Sequence, residues 1–380
     1  MFNRNQFIIV YCTITAFAVL YEHQPLLPLL AGQWKRSIND AALLTTVTML
    51  PLAVAPILYG YFLERFSAHR MLMIGFTLLF ISQSVLSTAP DYPLFLLLRA
   101  IEGLVLPAIF ISLMTYSSSI GGQHKARQNI AMYIASTIVG GFCGRVVTGF
   151  VTSLTDWQTA FWMWAVMALI ALLSLIKLES DPRHNLVKIS FDEVRLLLTK
   201  QVNRRGLSAA FLMFFVFAAM LNFLPFRMQE ISPEITTAAI SMVYTGYLIG
   251  IAVSLFSGRL VSLLGSERRT LMVGWSIYLS GTLVFVTDSL LLLHLAMYIF
   301  AAGMFMLHSV LSSLLNHLEP SRRGMINGLY VSAYYSGGAL GTFLPGLVYR
   351  PVGWNGFTVL LVTTMLLLGW IIHLMPLRNS

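Results

Sequence analysis

Along the chain, uninterrupted apolar runs alternate with short polar connectors, and this alternation identifies the elements before any single residue is considered. About 20 apolar residues cross the hydrocarbon core of a bilayer as an α-helix, whereas a membrane β-strand alternates apolar and polar positions over about 10 residues. The runs here are continuous, so the pattern predicts helices. They fall near 7–31, 42–62, 71–89, 92–116, 129–152 and 158–178, then near 207–228, 237–257, 270–288, 289–315, 325–349 and 356–376. Between the two sets, residues 179–206 are polar and mixed in charge. Ser190 followed by Glu193 is a capping-box pattern, which predicts a short surface helix within this linker. The expected fold is an all-α polytopic membrane protein of twelve spans, with one six-helix bundle over 1–178, a cytoplasmic linker over 179–206 and a second six-helix bundle over 207–380.

Composition agrees, with 57% hydrophobic and 10% charged residues. A net charge of +9 raises the question of nucleic acid, but the basic residues lie in short connectors and not on one soluble face. Orientation accounts for them. With the N-terminus inside, all of the 24 lysines and arginines are cytoplasmic except Lys35, Arg36, Arg227 and Arg350 outside and Arg99 and Arg145 within the membrane. An excess of basic residues in short inner loops places both termini in the cytoplasm. Cys12 and Cys143 fall inside apolar runs and read as free thiols, with no disulfide framework. The opening MFNRNQF leads into an apolar stretch of about 25 residues, too long for a signal-peptide core, so the first span is expected to be retained.

The halves repeat. Gly140, Gly141, Gly144, Gly149 and Trp157 are matched at a constant offset of 197 by Gly337, Gly338, Gly341, Gly346 and Trp354. GYFLERFSAHR at 60–70 aligns with GRLVSLLGSERR at 258–269 at nearly the same offset. Six-span halves joined by a linker suit two bundles that rock about a central site.

With these features the chain resembles the major facilitator superfamily over essentially its whole length. The family's inner-loop motif is similar to Gly60, Glu64, Arg65 and Arg70, with Glu64 for the usual aspartate and Ser67 for a glycine. The second copy keeps Gly258, Gly265, Arg268 and Arg269. The resemblance implies a gating role for these loops. Arg99, Glu102 and Gly103 resemble the fourth-helix motif of the drug:proton antiporter branch, and GGFCGRVVTG at 140–149 its glycine-rich fifth-helix motif. Arg145 stands where that motif has a proline, while Pro345 sits three residues further along in the matching stretch of the second half. LYEHQPLLPLLA and NFLPFRMQ are similar to arabinose-efflux-type inner-membrane permeases.

Of the 15 acidic residues, Glu22 and Glu102 lie well inside a span. Embedded charges cost roughly 3 kcal/mol each on insertion scales, so they face a wet cavity or one another. At a rise of about 1.5 Å per residue, Arg99 and Arg145 lie roughly 10 Å below the outer ends of spans four and five, Glu102 deeper, and Glu22 in the outer part of span one. Arg99 and Glu102 share a helix face, and Gly103 admits a neighbouring backbone. Two readings stand: paired charges that only orient helices, or a proton relay. In the relay, Glu22 is the expected carrier, Arg99 modulates it, Glu102 is its fixed partner, and Arg145 binds an anionic substrate group or balances Glu102.

Tyr21 and Gln24, flanking Glu22, are further substrate-facing candidates. In the second half these are Asn222, Phe226, Arg227, Tyr244, Tyr247, His308, Tyr330, Tyr334 and Tyr335, with the last two favoured because a tyrosine offers a flat face and a polar tip. His23, His294 and His308 could titrate near neutral pH, but no two have metal-ligand spacing, so no metal is expected.

The expected function is a plasma-membrane, multi-pass secondary transporter that exports small organic molecules or drugs in exchange for protons. It would act as a monomer in lipid, without a cofactor or nucleic acid, driven by the proton gradient. Proton symport, or efflux of an anionic metabolite, a sugar or a siderophore-like chelator, is the alternative. A sensor or scaffold would need a soluble signalling domain, which the short linker and the ending LRNS do not supply. No phosphate loop, nucleophile elbow or metal cluster points to an enzyme.

Overall fold

A computed structural model describes residues 4–63, 66–119, 123–178 and 191–376. Its described residues form helices α1 (Arg4–Tyr21), α2 (Leu27–Gln33), α3 (Ile38–Leu63), α4 (Ala68–Leu86), α5 (Tyr92–Ser119), α6 (Gln123–Leu154), α7 (Trp157–Leu175) and α8 (Phe191–Thr199). The chain continues with α9 (Gln201–Ile231), α10 (Thr237–Met242), α11 (Tyr247–Leu264), α12 (Glu267–Val284), α13 (Leu290–Leu318), α14 (Arg323–Gly341) and α15 (Leu344–His373).

Among the described residues, ten helical segments are long and apolar enough to cross a membrane. Two differences separate this from the expected twelve. The ninth run is α12, whose 18 residues begin with Glu267, Arg268 and Arg269 and are less apolar. The last two runs form one segment, Arg323–His373, of 51 residues. At about 1.5 Å per residue it reaches roughly 76 Å, more than twice a hydrocarbon core of about 30 Å. It is interrupted at Thr342 and Phe343, and kinked at Gly353, where φ is 78° and only glycine is unstrained.

Other interruptions follow the sequence. The expected helix over 7–31 is broken after Tyr21 into a 3-10 turn at Gln24–Leu26, since Pro25 and Pro28 cannot donate to the preceding turn. The expected helix over 237–257 tightens into a 3-10 turn at Val243–Gly246, where Gly246 lies against the Met297 backbone. By contrast α6 runs unbroken for 32 residues through position 145, because arginine there keeps the backbone N–H that proline would remove.

The chain forms two compact units. One contains Met1–Arg36, Leu58–Leu186 and Thr236–Ser241; the other contains Ser37–Ile57, Val187–Ile235 and Met242–Ser380. Thus most of α3 groups with later helices, and all of α10 but Met242 with earlier ones. The repeat explains the symmetry of this exchange, since residues 236–241 lie 197 positions after 39–44.

In the first unit α1 packs on α6, and α4 on α5 and α7. Trp34, Phe95, Trp157 and Phe161 form an edge-to-face cluster, and Trp157 donates its indole N–H to Gln33 Oε1 at 2.7 Å. In the second unit α9 packs on α14 and α15, and α12 on α13. Trp354, the repeat partner of Trp157, donates to the Phe285 carbonyl at 2.7 Å.

The repeated glycines sit at helix crossings. A methyl on Gly144 would come within 2.6 Å of Ala18 Cα, and one on Gly337 within 2.8 Å of the Phe211 carbonyl carbon. Neither partner is a side chain that can swing away. Gly149 lies against Thr237 and Ser241, and Thr237 Oγ1 donates to its carbonyl at 2.9 Å. Its counterpart Gly346 lies against Asn39 and Phe223.

The linker contributes α8. Ser190 lies outside the described residues, while Glu193 is on α8, 3.8 Å from Arg322. Beside it, buried Glu319 accepts from Lys200 Nζ at 2.7 and 2.9 Å and from Asn203 Nδ2 at 2.8 Å. Burial pushes the Glu319 carboxyl up, but the bonds from Lys200 and Asn203 and the charges of Lys200 and Arg322 outweigh it and hold the group below its ordinary value.

Two outcomes are expected. Gly144→Ala and Gly337→Ala each lower stability by about 1–3 kcal/mol in thermal unfolding of detergent-solubilised protein, whereas Gly258→Ala is tolerated, since nothing lies within 4 Å of its added methyl. Glu319→Gln costs about 1 kcal/mol at pH 7. Because the folded carboxyl titrates below the unfolded one, its contribution is complete above about pH 4.3 and is lost as the pH falls through the folded value, so variant and wild type converge on acidification.

Candidate functional site

The break in the first membrane segment builds the site. Pro25 has no N–H, so the carbonyl four residues back loses its helical donor, and the last turn of α1 is left with carbonyls to satisfy. The ladder carries through Glu22 N to Ala18 O at 2.9 Å, and Leu26 N then closes the tighter turn on His23 O at 3.0 Å. Arg99, entering from α5, donates Nη1 to Val19 O at 3.1 Å and Nη2 to Leu20 O at 3.0 Å. A cation at a helix C-terminus also complements the negative end of its dipole.

The same guanidinium gathers the charges. Arg99 Nη1 donates to Glu102 Oε2 at 2.6 Å, one turn away on α5, and lies 3.4 Å from Glu22 Oε1. Nη2 lies 2.8 Å from His23 Nδ1. A guanidinium can only donate, so Nδ1 is the acceptor and carries no proton. From α4, Gln83 Nε2 donates to Glu22 Oε1 at 2.6 Å and to Glu102 Oε1 at 2.9 Å. Glu22, His23, Gln83 and Arg99 are 0% exposed and Glu102 1%. Two buried acceptors, Glu22 Oε2 and Gln83 Oε1, have no hydrogen-bond partner among the described residues.

Arg145 reaches the broken segment by another route. Its Nε donates to Gln24 Oε1 at 2.6 Å and its Nη1 to Gly141 O at 2.7 Å, with the guanidinium 4.0 Å from the Tyr21 ring centroid. Gly141 makes this possible, since a methyl there would meet both Arg145 and Tyr21 at 3.3 Å. Its Nε and Nη1 thus go to Gln24 and Gly141. Gln24 Nε2 is buried and without a partner among the described residues.

In the second unit the aromatic candidates join in one network, in which Phe214 and Phe217 link Tyr334 to Tyr247. Asn222 accepts from Thr45 Oγ1 at 2.6 Å and donates to Thr342 O at 3.0 Å. Tyr334 stacks on Phe214 with centroids 3.7 Å apart and meets Tyr335 edge-on at 5.4 Å. His308 lies beside Tyr334 and bonds Tyr330 Oη through Nδ1 at 2.9 Å. Tyr247 packs on Phe217 and Phe305, and Tyr244 donates to Leu221 O at 3.0 Å. Phe226 is buried on α9. Arg227 binds Glu230 at 3.2 Å and also Asp288, so its charge is engaged by carboxylates at the end of α9. His294 bonds the Leu290 carbonyl of its own helix at 2.7 Å.

Of the loop residues, Glu64 and Arg65 lie outside the described residues, and Gly60 is within α3. Ser67 caps α4 in extended backbone and accepts from Arg70 N, which explains serine in place of glycine. The second copy repeats the device: Ser266 caps α12 and accepts from Arg269 N. Gly265 holds a left-handed φ of 81°, and Arg268 donates to His373 O at 2.6 Å. Among the described residues no group of three His, Cys, Asp or Glu side chains could hold a metal ion.

Gln83 was not among the expected residues. Its signal was available, because an amide in the middle of an apolar run carries the same demand for partners as a charge. Removing Arg99 should be severe. Arg99→Leu costs about 3–5 kcal/mol in thermal unfolding, since it strands two carboxylates and two carbonyls, and adding Glu22→Gln and Glu102→Gln recovers part of the loss.

Comparison with known proteins places this arrangement. The sequence matches the Major Facilitator Superfamily over residues 7–232 and again over 228–380. The MFS-type transporter YybF of Bacillus subtilis (strain 168) is 24% identical over 378 residues, which are 98% of this chain and 93% of that protein. The inner membrane transport protein YnfM of Escherichia coli (strain K12) is 24% identical over 369 residues, 95% of this chain and 88% of the relative. Among solved structures, a point mutant of the nucleoside transporter NupG shares the fold with a TM-score of 0.81 at 14% identity, over 98% of this chain and all of that one. With the family matched across both halves and its fold reproduced, this chain belongs to the Major Facilitator Superfamily and is a transporter, not an enzyme.

Proposed function

We propose that this transporter exports small organic molecules by alternating access in exchange for protons, and that Glu22, Arg99 and Glu102 couple the two fluxes. The observation that supports this most is the sealed group of two carboxylates on one guanidinium, built at a break in a membrane helix. A structural ion pair needs one carboxylate for one arginine. Here a second carboxylate, Glu22, meets the guanidinium at 3.4 Å against 2.6 Å for Glu102, and its Oε2 takes no bond among the described residues. Glu22 is therefore the carboxylate best suited to gain and lose a proton as water reaches it. Glu102 is the fixed partner.

In this reading the protein sits in the plasma (inner) membrane with both termini in the cytoplasm, works as a monomer and needs no cofactor besides the proton gradient. The loops at Gly60–Arg70 and Gly258–Arg269 gate access. The cargo-facing candidates are Tyr334, Tyr335 and His308 in the second half, and Tyr21, Gln24 and Arg145 in the first. One observation favours a second reading. Arg145 and the Gln24 amide nitrogen, which takes no hydrogen-bond partner among the described residues, together present donors suited to an anionic cargo, moved by symport or efflux.

Reconstitution with an internal pH dye, against a panel of cations, sugars, amino acids and organic anions, tests the proposal. Wild-type protein is expected to show substrate-linked pH changes of the sign required for exchange. Glu22→Gln is expected to lower that proton flux far more than it lowers substrate counterflow. Undiminished proton flux in Glu22→Gln removes Glu22 as the carrier, and a panel without any linked pH change removes coupling altogether.

A further inference from the structure

Neither the family motifs nor the arrangement of charges assigns a role to α4 in this group, yet α4 supplies a neutral residue that, like Arg99, touches both carboxylates. We propose that Gln83 is a positioning residue for proton coupling, its amide nitrogen holding Glu22 and Glu102 together so that they bind and release a proton as a pair. The proposal rests on the proton-coupled reading above and deepens it.

The geometry allows little else. An amide nitrogen has two hydrogens, and both go to carboxylate oxygens, at 2.6 Å to Glu22 Oε1 and 2.9 Å to Glu102 Oε1. Two acceptors on one side fix the orientation of the amide, because a flipped Gln83 would set its oxygen against two carboxylates. Arg99 Nη1 bridges the same two groups. Carboxylates from α5 and from the chain break are thus held within reach of one nitrogen. Two like charges so close do not titrate independently, and their steps belong to the pair.

The leftover atoms point the same way. With its nitrogen engaged, Gln83 Oε1 is buried and takes no donor among the described residues, and neither does Glu22 Oε2. A proton arriving from water forms an O–H bond on the Glu22 carboxyl and turns one of these two acceptors into a donor. On release the bond breaks, the electron pair stays on the carboxylate, and the proton returns to water. The charged and titratable side chains facing the pair are Arg99 on α5, His23 beside Glu22 and, through Gln24, Arg145 on α6. From α4 come Gln83 and Ser82, neither of them titratable.

The experiment compares wild type with Gln83→Met, which keeps the bulk of the side chain and loses both N–H donors. Proteoliposomes with an internal pH dye report substrate-linked proton flux, and labelled-substrate counterflow reports exchange without a gradient. The expected result is a proton flux about tenfold further reduced than counterflow, and a pH profile of transport displaced by about one unit. Proton flux and counterflow that fall in proportion, with the pH profile unmoved, overturn the assignment, since that is what a merely structural residue gives. Should Gln83→Met not fold, Glu102→Gln carries the test: coupling through Gln83 requires it to displace the pH profile, and an unmoved profile overturns the proposal. The outcomes separate the two claims. A wild-type protein that moves substrate with no linked pH change defeats the proton-coupled reading and the Gln83 role with it, whereas a coupled wild type matched by Gln83→Met defeats the Gln83 role alone.

Discussion

The guanidinium of Arg99 holds together two problems that neither helix could solve alone. A proline pair breaks the first membrane segment and leaves backbone carbonyls without donors in a place where water is scarce, while α5 carries a cation that no apolar surface can accept. Each answers the other: Arg99 bonds Val19 and Leu20 carbonyls and, from the same planar fork, a carboxylate and an imidazole nitrogen. Lysine has the charge but not the fork, so arginine is the side chain that serves. Once the break is held open, Glu22 and His23 lie where the chain is no longer helical and can be directed inward, and the rest of the group follows.

Most of the fold was legible because it depends on long apolar runs, which single residues do not overturn. Helices appear at every predicted run, and the offset of 197 that relates the glycines also relates Trp157 to Trp354, each donating its indole N–H at the same 2.7 Å. What the runs could not supply was continuity. Pro25 and Pro28 break a helix that hydropathy joins, and Gly353 kinks a segment that the backbone ladder nearly joins. Proline at 345 and arginine at 145 send the two halves different ways, with an interruption before α15 and an unbroken α6.

The site was legible in part for a similar reason. Charges in apolar sequence stand out, and Arg99 with Glu102 at helical spacing could be paired before any coordinates. The partner of Arg145 could not, because Gln24 lies 121 positions away and is reached only through the close crossing of α1 and α6 that Gly144 permits. Gln83 escaped notice because a scan for charge passes over a neutral amide, although burial makes the same demand on both. Arg227 pairs with two carboxylates, of which Glu230 stands one helical turn away and Asp288 is distant in sequence.

The two halves, built on one repeat, have come to do different work. Away from the charged pairs at its helix ends, such as Lys200–Glu319 and Arg227–Glu230, the second unit carries hydroxyls, amides and aromatic rings, as in the Thr45–Asn222–Thr342 chain and the Tyr334 stack on Phe214. These groups bond without changing charge. The first unit carries arginines and carboxylates, whose interactions change with each proton. In the proposed mechanism this divides the labour: the second half offers cargo neutral candidate groups such as Tyr334 and Tyr335, and the first half carries the charged group whose geometry registers one proton. Repeat symmetry supplies matching hinges and crossings, while Pro345 and Arg145 mark where the sequence abandoned symmetry. Coupling then requires the two chemistries only to move together.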